Sequence, residues 1–495
     1  MPKLKVSKKT QPAASNELLA GLDLQRHDRL EEAETLFRFV LENDATNWRA
    51  LHQLGAIHLT RGQHVEALQY LGAAMKANAG SAEITSNYGV ALRKLQRDDE
   101  AIEYFNRALM LRPGYVPAIL TRGTSFHHLG RREEALASFD RVIEIEPNHA
   151  KAHYNRANVL HELKRFDEAV ESFRRATALS PDDADAHWNE SLSLLLMGAY
   201  REGWKKYEWR WKRGNLTPRD LNQPLWLGEE SVAGKTILVH AEQGFGDTLQ
   251  CARYMPLLAK MGAKIVLEVQ PALKALFTTL EGVTTLLGRG EPLPDLDFHC
   301  PIMSLPLAFK TELSTIPSNV PYLETPPERV EKWRGRVPQG KTLTVALAWT
   351  GSAGNEENDI RSIPVEKLAP LFAVEEIQWI SIQRDLRPHD SEFLNAHPKI
   401  KQFGAELSDF ADTAAIVLQT DLVISVCTSA AHLAGALNRP LWLLSKHSPD
   451  FRWLLDRDDS PWYPSARIFR QPNFDDWDAV IDQVKGELGS LKKTS

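Results

Sequence analysis

The segment AEQGFGDT, residues 241–248, sets two glycines beside two carboxylates where an apolar run ends and a helical pattern begins. Gly244 and Gly246 permit a tight turn and a close approach of backbone to a ligand. Their spacing is not the GxGxxG dinucleotide fingerprint, so the turn gives little support to a nicotinamide cofactor. Asp247 falls in the first turn of the helix, where it can cap backbone N–H groups or act as a general base toward a hydroxyl. Glu242 is the reserve base.

Two further segments suit an anion. VCTSAAHLAGAL, residues 426–437, closes an apolar run and opens a helix, so Thr428, Ser429 and Ala430 gather N–H groups and hydroxyls at a helix N-terminus, a ready seat for a diphosphate. His432, about one turn inside, reads equally as a ligand-lining imidazole or a packed hydrogen-bonding ring. WTGSAGNEENDIRSIP, residues 349–364, is a long polar loop after another apolar run, and Arg361 is its one cation. Arg361 suits a bidentate contact to a leaving diphosphate where no metal assists; the plainer reading is a surface pair with Glu356 or Asp359. Trp349, Ser352 and Gln383, at or just beyond the ends of apolar runs in the same region, complete the set expected to contact a nucleotide.

Composition narrows the chemistry. With 59 basic and 65 acidic residues the net charge is -6, which gives no global pull toward nucleic acid or an anionic membrane. Cys251, Cys300 and Cys427 lie far apart without zinc-ligand spacing, as suits a reducing cytoplasm. Asp295 with Asp297 and Asp456 with Asp458 form DxD strings short enough to arise by chance, so no metal is assigned. The start, MPKLKVSKKTQPAAS, lacks a signal-like apolar run, and no segment approaches the ~18 apolar residues of a spanning helix. A cytoplasmic protein without integral membrane association is expected.

The elements that must position these residues begin at Lys235. TILVHAE, a turn, a helical pattern over Thr248–Met261 and KIVLEV form a βαβ unit, with further strand candidates at Val283–Leu287 and Leu296–Cys300. A Pro-rich stretch from Pro317 to Pro338 leads to a second series, TLTVALAW, IQWISIQ, DLVISVCT, a helix over Ser429–Leu437, and PLWLL. Two Rossmann-like halves predict a GT-B glycosyltransferase architecture, whose donor nucleotide sits at the carboxyl ends of the second half's strands. The block from Pro449 to Gln471, rich in aromatics and arginines, either lines the cleft or latches back onto the first half.

Ahead of this module, columns recur every 34 residues. Gly21, Gly55, Gly89, Gly123, Ala157 and Ser191 form one; Ala33, Ala67, Ala101, Ala135, Ala169 and Gly203 a second; Phe37, Leu71, Phe105, Phe139, Phe173 and Tyr207 a third. This is the tetratricopeptide signature, with small residues admitting a close helix pair and a bulky residue filling the gap. Such a solenoid presents a groove for an extended peptide or partner helix; use as a homodimer contact or spacer stays open. The aromatic and basic run from Tyr207 to Arg213 reads as its cap. The chain thus divides into a tail (1–13), an all-α solenoid of about six repeats with cap (14–217), a linker (218–234), and acceptor-side (235–335) and nucleotide-sugar (336–495) halves of an α/β module.

EQGFGDT, NDIRSIP, DFADTAA and CTSAAHLAGAL together resemble the ADP-heptose:lipopolysaccharide heptosyltransferases. The resemblance implies that Asp247 is the base, that Arg361 meets the donor phosphates, and that Thr428, Ser429 and Ala430 cradle the diphosphate. One position departs: this chain has Cys427 where that family has Asp. The solenoid makes the whole similar to the tetratricopeptide protein O-glycosyltransferases, including those that modify flagellin. The expectation is an inverting, metal-independent transfer from a nucleotide sugar, needing no cofactor, to a protein acceptor, flagellin being the leading case. A glycan- or lipopolysaccharide-directed transferase and a non-catalytic scaffold are the alternatives.

Overall fold

The computed structural model describes residues 11–214, 216–351 and 361–491. The chain forms two compact units, Met1–Ala186 and His187–Ser495.

The first unit is a tetratricopeptide solenoid of antiparallel helix pairs: α1 (Gln11–Arg26) with α2 (Leu30–Asn43), α3 (Trp48–Thr60) with α4 (His64–Ala77), α5 (Ala82–Lys94) with α6 (Asp98–Leu111), α7 (Val116–His128) with α8 (Arg132–Ile145), and α9 (Ala150–Glu162) with α10 (Phe166–Leu179). The columns meet inside each pair. A Cβ added to Gly21, Gly55, Gly89 or Gly123 would lie 2.5–2.8 Å from the Phe37, Leu71, Phe105 or Phe139 side chain, so the small residue is a steric requirement. Asn47, Ser81 and His149 cap their first helices by accepting from the N–H three residues on. Helices α6, α8 and α10 end two residues before Pro113, Pro147 and Pro181.

A further 34-residue column lies in the backbone. Asp28, Gly62, Gln96, Gly130 and Lys164, each at the turn between paired helices, have φ of +58° to +73°. Residues of four types, Asp, Gly, Gln and Lys, occupy it, which hides the column from a reading of residue type.

The second unit opens with α11 (Ala184–Leu196, its first residues in the preceding unit), α12 (Tyr200–Tyr207) and a 3-10 turn, Glu208–Lys212. It then carries two parallel sheets. The first orders β1 (Thr236–His240), β2 (Lys264–Val269), β3 (Val283–Gly288) and β4 (Phe298–Pro301) as β3-β2-β1-β4. The second orders β5 (Leu343–Ala348), β6 (Ile377–Ser381), β7 (Lys401–Gln402), β8 (Leu422–Val426), β9 (Leu441–Ser445) and β10 (Ala466–Arg470) as β10-β9-β8-β5-β6-β7. Counted from β5, this is the doubly wound order 3-2-1-4-5-6. β8 and β9 are buried along their whole length, as central parallel strands must be. Val480, Ile481 and Val484 of the last helix (Trp477–Ser490) pack with Val345, Leu347, Ile424 and Leu444 in one core.

Four expectations change. The helix predicted over Thr248–Met261 is broken into α13 (Phe245–Cys251) and α14 (Met255–Lys260), because Pro256 starts a new first turn more readily than it continues an old one. β7 and β10 were not expected. The predicted linker is packed: Trp226 is buried, its backbone N–H donates to His299 O at 2.8 Å, and Leu225 bridges to His299 beside β4. Finally, the units divide at Ala186/His187, well before residue 217. The reason is burial: Tyr200, Trp204 and Tyr207 are each at most 2% exposed, with Trp204 and Tyr207 edge-on to Phe451 and Tyr200 accepting from Trp462 Nε1 at 3.0 Å. Of the run read as a solenoid cap, Tyr207 and Arg210 are buried in the second unit, while Trp209 stacks on His187 of α11 with ring centroids 3.9 Å apart.

Among the described residues, no helix is long and apolar enough to cross a membrane.

Candidate functional site

In each sheet the strand order reverses beside the first strand, between β1 and β4 and between β5 and β8. Crevices at the carboxyl ends of strands at such points are where open α/β sheets take ligands. The turn 241–247 borders the first; residues 349–351, just past β5, and the start of the helix Ser429–Ala436 border the second.

At the second crevice Thr428 precedes the helix in extended conformation, and its hydroxyl meets Ser425 Oγ at 3.1 Å instead of capping. The first intrahelical bond runs from Ala431 N–H to Thr428 O at 3.1 Å, so the N–H groups of Ser429 and Ala430 lie ahead of the helical ladder. Gln383 Oε1 accepts from the N–H of both Trp349 and Thr350 at 3.2 Å, tying the ends of β6 and β5, while buried Trp349 donates its indole N–H to Asp390 at 3.2 Å. Trp349 and Gln383 therefore build the crevice wall. Ser352 lies outside the described residues. Arg361 is half-buried at the far end of that loop, and its charge bears on both Cys427 and His432.

At the first crevice Asp247 Oδ2 accepts from Gly244 N–H at 2.8 Å, the capping geometry, and Oδ1 is paired with Arg452. Gly244 is extended, with φ at -73°. A Cβ on Gly246 would fall 2.7 Å from His432 Cδ2, so that glycine lets α13 pack on the helix Ser429–Ala436. His432 stacks on Trp453, bonds Tyr463 Oη at 2.9 Å through Nδ1, and is held neutral by burial, its pKa pushed down to about 3. It is a packed ring joining the two sheets' helices. Cys427 accepts from Trp453 Nε1 at 3.0 Å, and burial pushes its thiol up to about 11.

Glu242 sits apart from Asp247 in a buried ionic knot. Arg210, 1% exposed, donates to Glu242 at 3.1 Å, Ser304 at 2.7 Å and Glu208 at 2.6 Å. Burial raises Glu242 to about 7 against the pull of Arg210, and Oε2 has no hydrogen-bond partner among the described residues. Tyr207 donates to Gln243 at 3.1 Å, so the segment after the repeats is wired to the turn that bears both carboxylates.

Sequence reasoning missed Arg452, Asp450 and Arg210. Arg452 is 7% exposed and gives Nη1 to both Asp450 oxygens at 2.9 Å and Nε to Gln250 at 2.6 Å. The aromatic and basic block around it is a latch: Arg452 reaches α13, and buried Arg253, three residues past Gln250, donates to Trp462 O at 2.7 Å. Richness in arginine flagged the block, but no local spacing names a partner 205 residues away.

Tetratricopeptide repeat profiles match residues 18–82 and 120–200, and a second such profile matches 58–121. Together with the interlocking columns they make the first region a tetratricopeptide array. Protein FlbA of Caulobacter vibrioides is 26% identical over 320 residues, 60% of this chain. The match spans only about half, 53%, of FlbA. Among solved structures, YrrB, a TPR protein with an unusual peptide-binding site, is 24% identical over 36% of this chain and 92% of its own, at a TM-score of 0.32. PilW, a type IV pilus biogenesis factor, is 20% identical over 41% of this chain and 93% of its own, at 0.38. A thermophilic TPR protein of Thermus thermophilus is 25% identical over 37% of this chain and 99% of its own, at 0.32. Scores this low add no weight to the repeat assignment.

Proposed function

We propose that this protein is an inverting, metal-independent glycosyltransferase of GT-B type that moves a sugar from a nucleotide sugar to a protein acceptor recruited by the repeats. The observation that carries the reading is the β5/β8 crevice, where a doubly wound order and a helix N-terminus coincide; the charge of Arg361, which bears on Cys427 and His432, supports it. The resemblance of EQGFGDT, NDIRSIP and CTSAAHLAGAL to the heptosyltransferases supports it as well.

In this reading the N–H groups of Ser429 and Ala430 and the Arg361 guanidinium take up the charge that develops on the leaving diphosphate. Asp247 removes the proton of the acceptor hydroxyl as the oxygen attacks the sugar carbon from the face opposite the leaving group. Glu242, walled in by Arg210, is the weaker base candidate on access. The repeats act through effective concentration, holding the acceptor protein near the donor; flagellin is the case we favour.

Two observations favour a second reading, a non-catalytic sugar-nucleotide binder. Asp247 is engaged on both oxygens, and Cys427 stands where the heptosyltransferases carry Asp. A thermal-shift panel of nucleoside mono- and diphosphates tests the shared core of both readings. A ligand at 100 times its dissociation constant should stabilise the second unit by about 2.7 kcal/mol. No shift with any nucleotide contradicts both.

A further inference from the structure

Arg452 is placed to do more than brace two sheets. Trp453, the next residue in the chain, donates its indole N–H to Cys427 Sγ at 3.0 Å and stacks on His432, which sets Arg452 beside the start of the helix Ser429–Ala436. It is thus close to the proposed diphosphate seat, yet it is committed to two carboxylates. The commitments differ in kind. Asp450 is two residues away, is held by both hydrogens of Nη1, and also accepts the Arg452 backbone N–H at 3.0 Å, so chain geometry fixes it. Asp247 comes from the other sheet's turn and engages Nη2 alone. If one partner exchanges, it is Asp247.

Resting on the reading of the β5/β8 crevice as a diphosphate seat and of Asp247 as base, we propose that Arg452 is a positioning residue that masks Asp247 until an anionic diphosphate competes for its Nη2. The exchange is driven electrostatically. Arg452, Asp450 and Asp247 together carry one net negative charge, and a phosphoryl oxygen arriving beside them repels the more weakly held carboxylate while offering Nη2 an equivalent acceptor. Asp247 keeps its bond from Gly244 N–H and turns its freed oxygen toward the acceptor side. Base availability is thereby tied to donor occupancy, and the donor binds before the acceptor.

Competition predicts an unusual sign. Removing the charge of a proposed catalytic base should tighten the binding of a diphosphate. Uridine, guanosine, adenosine and cytidine diphosphates are titrated by calorimetry into the whole chain and its Asp247→Asn variant. Whichever diphosphate binds the wild type should bind the variant about five- to tenfold more tightly, because the wild type holds most Arg452 in the competing pair. The matching nucleoside should be unaffected. In an Arg452→Gln background, Asp247→Asn should bring no gain, a result that a merely structural bridge does not predict. Asp247→Ser, which still caps α13, serves if the Asn variant does not fold. Equal or weaker diphosphate binding by a folded Asp247 variant overturns the mask and leaves the transferase reading standing. Absence of binding by every diphosphate to wild type and variant alike overturns both.

Discussion

The two units encode their structures at different ranges. In the repeats, each decisive contact joins residues 16 apart, such as Gly21 with Phe37 and Gly123 with Phe139, and recurs 34 residues later. In the second unit the decisive contacts are single and distant: Arg452 with Asp247, Arg210 with Ser304, Trp462 with Tyr200, 262 residues apart. A short-range, repeated code tolerates the loss of one copy. A long-range, unrepeated one does not, and it is where the candidate chemistry sits.

The largest effect should come from cutting at the boundary suggested by periodicity. A chain starting at residue 218 loses Tyr200, Trp204, Tyr207 and Arg210, opening an aromatic core and breaking a buried ionic knot. Breaking such a pair alone costs about 3–5 kcal/mol, so this form should be insoluble or molten by near-ultraviolet dichroism. A chain starting at residue 187 should fold. Equal solubility of both would mean that the last helices are an accessory and that the contrast between the units is overstated.

Next in size, Gly123→Val should destabilise the first unit by about 1–3 kcal/mol in urea unfolding, since a Cβ there already falls 2.7 Å from Phe139 and 3.0 Å from Ser138. Gly114→Ala, with nothing within 4 Å, should stay within about 0.5 kcal/mol. Comparable losses at both positions would deny the column its steric role.

In the second unit Arg361→Ala should weaken nucleoside diphosphate binding by about 1.5–3 kcal/mol, the worth of a charged hydrogen bond, and leave the nucleoside alone. Matching losses for both ligands would place Arg361 elsewhere. Glu242 adds a pH test. Burial raises its folded pKa from 4.5 to about 7, so its favourable contribution is complete below about 4.5 and is lost as pH rises through 7. Unfolding free energy should therefore fall between about pH 5 and about pH 8 more steeply in the wild type than in Glu242→Gln. Parallel slopes would mean that the carboxyl is well solvated.

The smallest effect probes the backbone column. Gln96→Gly and Lys164→Gly relieve φ of +61° at each position and should each stabilise by up to about 1 kcal/mol, net of glycine's entropy cost. Destabilisation would show that those side chains contribute contacts worth more than the strain.

How much was legible follows the same division. The solenoid, its register and most strands could be read because hydrophobic period and residue size are local properties. The backbone column at residues 28, 62, 96, 130 and 164 could not, since Asp, Gln and Lys share it with Gly. Within the site, the turn at Asp247 and the helix start at Thr428 were visible as strand-to-helix transitions. Trp349 and Gln383 were legible as residues at strand ends, but not as a tie between β5 and β6. Gly246 was read as room for a ligand, whereas the structure gives it His432 as a neighbour. Arg452 and Arg210 stayed hidden because a buried guanidinium's partners depend on strand order, and strand order is not written in any window of sequence.

The most direct test of the account is transfer itself. Whole chain, labelled nucleotide sugars of each base and an extract holding the acceptor are incubated with chelator, then separated into protein and lipid fractions. The account predicts label on a discrete protein band with wild type and none with Asp247→Asn, although that variant still binds the diphosphate. Label in the lipid fraction, or equal protein labelling by the folded Asn variant, would contradict it.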